Sequence, residues 1–280
     1  MQVYHKNKSL QNNLAKLKTG ASLGFIPTMG ALHKGHLSLI NRAKLENDFI
    51  VVSIFVNPTQ FDNKQDLLKY PRTLKKDLAL LESVDCDFVF APSAQEIYND
   101  NIGVSQFDFD GLEFEMEGKH RSGHFNGVGT IVKKLFEIVK PTRAYFGEKD
   151  FQQLQIIKKL VQTNKIPVQI IGCEIYREND GLAMSSRNTR LTKVQRNEAT
   201  FIYKTLNTAK EKFSNNSITE VIKWIENEFE KNAILELEYF EIANIKTLKS
   251  AKRKSSKSNY RAFIAAFAGD VRLIDNIALN

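Results

Sequence analysis

"GFIPTMGALHKGHLSLINRA", residues 24–43, carries an apolar run into a helix through a turn that holds glycine and histidine. Leu23, Phe25 and Ile26 read as the end of a buried strand. Leu37, Ile40 and Ala43 recur at helical spacing. Between them lies Met29-Gly30-Ala31-Leu32-His33-Lys34-Gly35-His36. Such a junction presents free backbone N–H groups and the positive end of a helix dipole, which suits an anion.

Outward from this junction the chain repeats the same alternation. Apolar strands are expected at Leu23–Ile26, Phe49–Val56, 86–92 ("CDFVFAP"), Arg143–Phe146 and Val168–Ile171. Helices are expected at Gly35–Glu46, Thr73–Glu82, Val128–Val139 and Asp150–Gln162. This pattern predicts an α/β fold: a Rossmann-like, doubly wound parallel sheet covered on both faces. Ligands bind such sheets beyond the carboxyl ends of the strands. The pattern changes at the polar stretch "ENDGLAMSSRNTRLT" (178–192). Helical spacing then runs to about Lys212 and again over Ile218–Glu230, followed by strands at 235–242, 260–267 and 271–274. The expected division is a domain over 1–184 and a smaller C-terminal α+β domain over 185–280, hinged near Ser185 to close over the site.

Composition narrows the setting. Of 280 residues 42% are hydrophobic, enough for one large or two modest cores. The two cysteines, Cys86 and Cys173, form no CxxC pair, which argues against a disulfide framework or thiolate zinc site and for a reducing cytoplasm. "MQVYHKNKSLQNNL" lacks the apolar core of a signal peptide, and no run reaches membrane-spanning length. The formal charge of +8 suits an anionic substrate and equally suits weak nucleic-acid binding. "AKRKSSKS" (251–258) has no interleaved aromatics and reads as a solvated hairpin tip rather than a nucleic-acid contact.

Five segments can carry chemistry. His33 and His36 stand three apart at the helix start. They could be a packing feature, a metal pair lacking a third ligand at a telling spacing, or stabilisers of charge on a phosphate. Gly30 and Gly35 favour the last, by letting backbone approach a bulky anion. "FVNPTQF" (55–61) sits at the same rim of the sheet, where Asn57 and Gln60 offer amides, although an NPTQ loop is also an ordinary turn. In "YFGEKDFQQL" (145–154), Gly147 permits a tight turn, Lys149 supplies a point charge, Asp150 can cap the helix and Gln153 can face the cleft. "GLAMSSRN" (181–188) brings Ser185, Ser186 and Arg187 onto a loop that can close on a polyphosphate. "HRSGHFNGVGT" (120–130) has the composition of a flexible lid or of an ordinary glycine-rich loop.

Taken together, "PTMGALHKGH", "FVNPTQF", "YPRT", "RSGHF", "FGEKDFQQ" and "DGLAMSSRN" resemble the pantothenate synthetase (pantoate–β-alanine ligase) family, in its order and at compatible spacings; the C-terminal "RLIDNI" is also similar. The resemblance spans essentially the whole chain, least distinctively over 195–260. Within the wider nucleotidyltransferase superfamily, HKGH resembles the first signature, and MSSRN stands where a Lys-Met-Ser-Lys-Ser-type loop lies. The resemblance implies an ATP- and Mg2+-dependent condensation of pantoate with β-alanine through pantoyl adenylate, by a cytoplasmic homodimer that engages neither nucleic acid nor membrane. It implies His36, His33, Lys149 and Arg187 as catalytic groups. ATP would contact Met29, Gly30, Ala31, Leu32, His33, Lys34, Gly35 and His36, then Gly147, Glu148, Lys149 and Asp150, and finally Tyr176, Met184, Ser185, Ser186 and Arg187. Gln60 and Gln153 would hold pantoate, with Gln60 also near β-alanine; direct protein ligands of the metal are not implied. Tyr176 departs from the small aliphatic residue usual in the family, and 250–263 is more basic than in its relatives. Two other readings remain open at this point: another nucleotidyltransferase of the superfamily, and a basic RNA-binding protein.

Overall fold

Strands β1 (Gln2–Tyr4), β2 (Leu23–Thr28), β3 (Phe49–Ile54), β4 (Phe88–Phe90), β5 (Arg143–Gly147) and β6 (Gln169–Cys173) form one parallel sheet in the order β1-β4-β3-β2-β5-β6. This is a computed structural model, and it describes residues 1–61, 64–99 and 102–280. Helices α1 (Asn7–Leu14), α2 (Lys34–Glu46), α3 (Lys64–Lys69), α4 (Leu74–Glu82), α5 (Ala94–Tyr98), α6 (Met116–His120), α7 (His124–Val139) and α8 (Phe151–Thr163) connect the strands.

The central strands are apolar along their length because both faces are covered. On one face Ile26, Ile50, Val52 and Val89 pack with Ile40 and Ala43 of α2 and Leu81 of α4. On the other, Phe25 of β2 meets Phe136 of α7 edge-on, with ring centroids 6.2 Å apart. Helix α7 buries Phe125, Val128, Ile131, Val132, Leu135, Phe136 and Val139, each a contribution of about 1.5–3 kcal/mol. It stops where Lys140 turns left-handed (φ 49°) and closes its N–H onto the Phe136 carbonyl, with Pro141 next.

The strand order has the switch point at which open parallel sheets form a crevice. Neighbours β2 and β5 pair at Gly24–Arg143 and Phe25–Ala144. From β2 the chain proceeds outward to β3, and from β5 it proceeds the opposite way to β6. Their connections diverge, so a crevice opens at their carboxyl ends. There lie the Met29–His33 turn and Gly147, where the sequence places the ligand.

The remaining residues group into a second unit: 114–116, 149–152 and 175–280. It takes up at Ile175, upstream of the boundary expected at 184/185, and it also claims Lys149 to Gln152. Helices α9 (Lys193–Glu198), α10 (Thr200–Asn215) and α11 (Ile218–Glu230) precede an antiparallel sheet, β7 (Leu235–Asn244), β8 (Tyr260–Ala268) and β9 (Val271–Ala278), in that order. Ile202, Leu206, Val221 and Ile225 pack with Ile242, Ile264 and Leu273 in its core. The basic 251–258 stretch runs largely exposed between β7 and β8.

One expectation is corrected. Residues 124–130 are not a lid or a glycine-rich loop; they open α7, and His124 is buried. Their glycines serve close packing instead. A Cβ on Gly127 would lie 2.0 Å from the Thr59 carbonyl oxygen, and one on Gly129 3.0 Å from the Phe107 ring. Among the described residues, no helix is long and apolar enough to cross a membrane.

Candidate active site

The turn from β2 to α2 is held from below by a buried carboxylate. Gly30 (φ 79°) and Ala31 (φ 48°) both adopt left-handed backbone, which costs a non-glycine residue about 1 kcal/mol or more. Asp77 of α4 supports it, accepting the N–H of Ala31 at 3.1 Å and of Leu32 at 2.8 Å. Thr73 donates its hydroxyl to the same carboxylate at 3.2 Å. A Cβ on Gly30 would stand 3.0 Å from Asp77 Oδ2. Gly30 is therefore favoured by its φ and by the close approach of Asp77 and Ile54.

With the turn fixed, the histidines cap α2 reciprocally. His33 Nδ1 accepts the Gly35 N–H at 3.2 Å, and His36 Nδ1 accepts the His33 N–H at 3.3 Å. Their ring centroids are 4.1 Å apart. A nitrogen that accepts carries no proton, so each neutral imidazole holds its hydrogen on Nε2. The cap thereby turns both rings into Nε2–H donors at a helix N-terminus, the arrangement that stabilises developing negative charge. Lys34 at the helix start is exposed.

The NPTQ segment is pinned against α7. The buried Asn57 carboxamide donates to Thr59 Oγ1 at 2.9 Å, to Gln60 Oε1 at 3.0 Å and to the Gly127 carbonyl at 3.4 Å. Tyr98 Oη donates to Asn57 Oδ1 at 2.6 Å; burial pushes this phenol above its usual range, which keeps the donor protonated. With its oxygen accepting from Asn57, the Gln60 carboxamide keeps its NH2 group as its donor end. Its backbone carbonyl accepts from His124 Nδ1 at 2.8 Å and from Arg121 Nη2 at 3.2 Å. Arg121 Nη1 stands 3.2 Å from His124 Nε2, so His124 is a neutral Nδ1–H tautomer and "RSGHF" serves to hold Gln60.

Beyond β5, a Cβ on Gly147 would meet nothing within 4 Å, and its φ is not left-handed. No tight turn demands this glycine, which corrects the reading from sequence. Glu148 lies along β6, with its Oε1 3.3 Å from where a Cβ on Gly172 would be. Gln153 is half-buried on the first turn of α8.

Lys149 and Asp150 group with the second unit. Lys149 Nζ stands 4.0 Å from Asp150 Oδ1. In the same unit the Ser-Ser-Arg loop is closed on itself. Met184 donates its N–H to the Tyr176 carbonyl at 3.0 Å, and Ser185 Oγ accepts the Arg187 N–H at 3.2 Å. Ser185 thus caps the short 3-10 turn Ser186–Arg190 and keeps its own hydroxyl hydrogen to donate, while Ser186 is buried. The side chain of Tyr176 is exposed. Below the loop, Arg196 grips Glu178 at 2.7 Å and Asp180 at 2.8 Å, which holds the Asp180 carboxyl below its ordinary range.

Sequence reasoning gave no role to Asp77, Arg177, Asp275 or Asn276, although the last two lie within "RLIDNI" and all but Arg177 leave a trace. Asp77 interrupts the apolar stripe Leu74–Leu78–Leu81, and Asp275-Asn276 are polar within an apolar strand. Among the described residues no group of three His, Cys, Asp or Glu side chains converges to hold a metal ion.

Comparison with known proteins matches this arrangement across the chain. A family profile described as pantoate-beta-alanine ligase covers residues 2–278. The chain is 55% identical to a pantothenate synthetase from Christiangramia forsetii, over the full length of both. It is similar to the crystal structure of pantothenate synthetase from Thermus thermophilus, with a TM-score of 0.92, 37% identity and coverage of 100% of this chain and 99% of that one. It is also similar to a Francisella tularensis pantoate-beta-alanine ligase complexed with beta-gamma ATP and beta-alanine, with a TM-score of 0.83, 39% identity and coverage of 100% and 98%.

Proposed function

Because the chain belongs to the pantoate–β-alanine ligase family, we propose that it condenses pantoate with β-alanine at the expense of ATP, through pantoyl adenylate. The observation that carries this reading is the pair of Nε2–H donors that the reciprocal cap of His33 and His36 creates beside the crevice. Pantoate's carboxylate attacks the α-phosphorus of ATP, and the bond to pyrophosphate breaks. The β-alanine amine then attacks the activated carbonyl, forms the amide and expels AMP. Adenylation turns a poor electrophile into a good one, and the protein contributes positioning and charge stabilisation.

His36 and His33 donate to phosphate oxygens as negative charge builds on them. A carboxylate nucleophile has no proton to give up near neutral pH, so stabilisation rather than proton transfer is their task. Gln60 donates its amide to pantoate, and Gln153 joins it. Lys149 and Arg187 neutralise phosphate charge, and the Ser185 and Ser186 hydroxyls donate to the same oxygens. Met29 to His36 line the nucleotide by backbone, as do Gly147 to Asp150. Tyr176 and Met184 flank the adenine.

The phosphates call for Mg2+. The chain offers no three-ligand cluster among its described residues, so the ion's coordination would come chiefly from phosphate oxygens and water. Family membership further suggests a homodimer working in the cytoplasm; sedimentation and cell fractionation test both.

The test incubates purified protein with ATP, magnesium and pantoate, with and without β-alanine, and identifies the products by mass. Pantoyl adenylate and pyrophosphate alone, then pantothenate and AMP once β-alanine is added, are the expected products. Folded protein that releases no pantoate-dependent pyrophosphate would overturn the reading.

A further inference from the structure

The C-terminal strand has a task that the reaction as described leaves unassigned. Strand β9 alternates until Asp275 and Asn276, two successive polar residues that are both buried. Asn276 Nδ2 donates to the backbone carbonyl of Lys149 at 2.9 Å, across 127 positions of sequence. Its Oδ1 accepts from Arg261 Nη1. A guanidinium only donates and a carbonyl only accepts, so the carboxamide can sit one way round only. Arg261 in turn lies over the Phe151 ring, 4.1 Å from its centroid, next along the chain from Asp150.

The other end of this tie reaches the Ser-Ser-Arg loop. Asp275 Oδ1 accepts the Asn276 N–H at 2.7 Å, and its carboxylate receives Arg177 in a two-pronged pair at 2.6 and 3.0 Å. Arg177 also donates to the Gly181 carbonyl at 3.1 Å and stacks 3.9 Å over Tyr203. Gly181 must be glycine here: its φ is 93°, and a Cβ would stand 2.2 Å from the Tyr203 ring. Arg177 pairs with Ala183 across an antiparallel bridge, immediately before Met184. A continuous chain of hydrogen bonds, charge-assisted through Arg177 and Asp275 and neutral at Lys149, therefore links the root of the Arg187 loop to the backbone of Lys149.

We infer that Asn276 is a positioning residue for Lys149, setting the height and direction from which that ammonium meets the nucleotide phosphates; this rests on the role given to Lys149 above. A misplacement of about 1 Å from a residue remote from the chemistry can cost about 10²-fold in rate. Asn276 touches no reacting group, so its effect on turnover is indirect, and its one bond toward the nucleotide side is the one to the Lys149 backbone.

The experiment measures pantoate-dependent ATP–pyrophosphate exchange for Asn276→Asp, Lys149→Ala and the double variant. Rates are normalised to folded protein by circular dichroism. Asn276→Asp keeps the acceptor for Arg261 and replaces the donor to Lys149 by an oxygen that repels its carbonyl, while Asn276→Ala removes the donor and the acceptor without adding charge. Expected are a kcat lowered roughly 10- to 100-fold with KM for pantoate held within about twofold. The double variant should be no slower than Lys149→Ala alone, since a residue acting through another adds nothing once that other is gone. Asn276→Ala gives the same reading if the buried carboxylate impairs folding. A merely structural role would lower the melting midpoint, leave kcat per folded molecule intact and overturn the inference. Penalties that multiply in the double variant would also overturn it. Full exchange by Lys149→Ala would instead show that the role of Lys149 was wrong, and the inference would fall with it.

Discussion

The carboxylate of Asp77 and the backbone N–H of Leu32 meet at 2.8 Å, and through this bond α4 sets the shape of the turn that carries His33. Hydrogen bonds to a charged acceptor contribute about 1.5–3 kcal/mol each, and an unsatisfied buried N–H costs about as much again. Asp77→Ala is therefore expected to lower stability by about 3 kcal/mol or more and adenylation by at least tenfold. Asp77→Asn, which retains one acceptor, should fall between. Thermal melts and pyrophosphate exchange check both; an Asp77→Ala enzyme with unaltered exchange would show that the turn keeps its form without the clamp.

The reciprocal cap separates what the histidines do for the fold from what they do for the reaction. Asn is as good an N-cap as any residue, so His33→Asn should melt within a few degrees of the parent. His36→Ala should slow adenylation by at least ~10²-fold, the scale for removing one preorganised donor. Near-normal adenylation by His36→Ala would sink its assignment.

Gly127 lies where α7 presses on the NPTQ segment. A methyl group there would collide with the Thr59 carbonyl, 2.0 Å away. Gly127→Ala is expected to cost about 1–3 kcal/mol as the helix backs off. Because Gln60 is carried on the same segment, KM for pantoate should rise. Steady-state kinetics with pantoate as the varied substrate give the answer, and an unchanged KM would detach Gln60 from this packing.

Stability should fall at both ends of the pH scale for separate reasons. Arg42 beside Glu46, with Tyr145 donating to it, holds that carboxyl below its ordinary 4.5. A depressed folded-state value means that the stabilisation is present above about 4.5 and is lost as pH falls through the folded value. Glu96, held low by the Asn7 N–H, and Asp180, held low by Arg196, act in the same sense. At the alkaline end, burial pushes the Tyr145 phenol up to about 12 from 10.0. The unfolded chain ionises first there, so stability declines as pH rises between those values. Melting midpoints across the range should form a plateau with two falling edges. Glu46→Gln should soften the acid edge and, by removing the charge that helps to raise the Tyr145 phenol, bring the alkaline edge to lower pH.

Much of the fold is written in patterns that need no partner to be read. Strand β2, helix α2 and strand β3 follow from unbroken apolar runs and helical spacing, and Ile218–Glu230 follows from its spacing, with Ser217 capping it in the structure. Strand β1 is hidden because three residues, two of them exposed, carry no pattern. The start of α7 is hidden because its glycines signal a loop; only the Thr59 carbonyl and the Phe107 ring explain them, and both come from distant sequence. Within the site, the short motifs identify the groups that would touch substrate. The groups that hold them, Asp77 behind the histidines and Asn276 behind Lys149, lie 45 and 127 positions away from their partners. Spacing along the chain cannot reveal such pairs.

The mutual cap of His33 and His36 also bears on how the gene would age. Asparagine, aspartate or serine suits an N-cap such as His33, and glutamate or glutamine fills the third helical position, that of His36, in a capping box, so folding places little premium on imidazole at either position. On the roles proposed above, turnover is what would preserve the pair. Loss of either imidazole in a related copy that keeps the Asp77 clamp and the α2 cap would then mark a protein that folds alike and no longer adenylates.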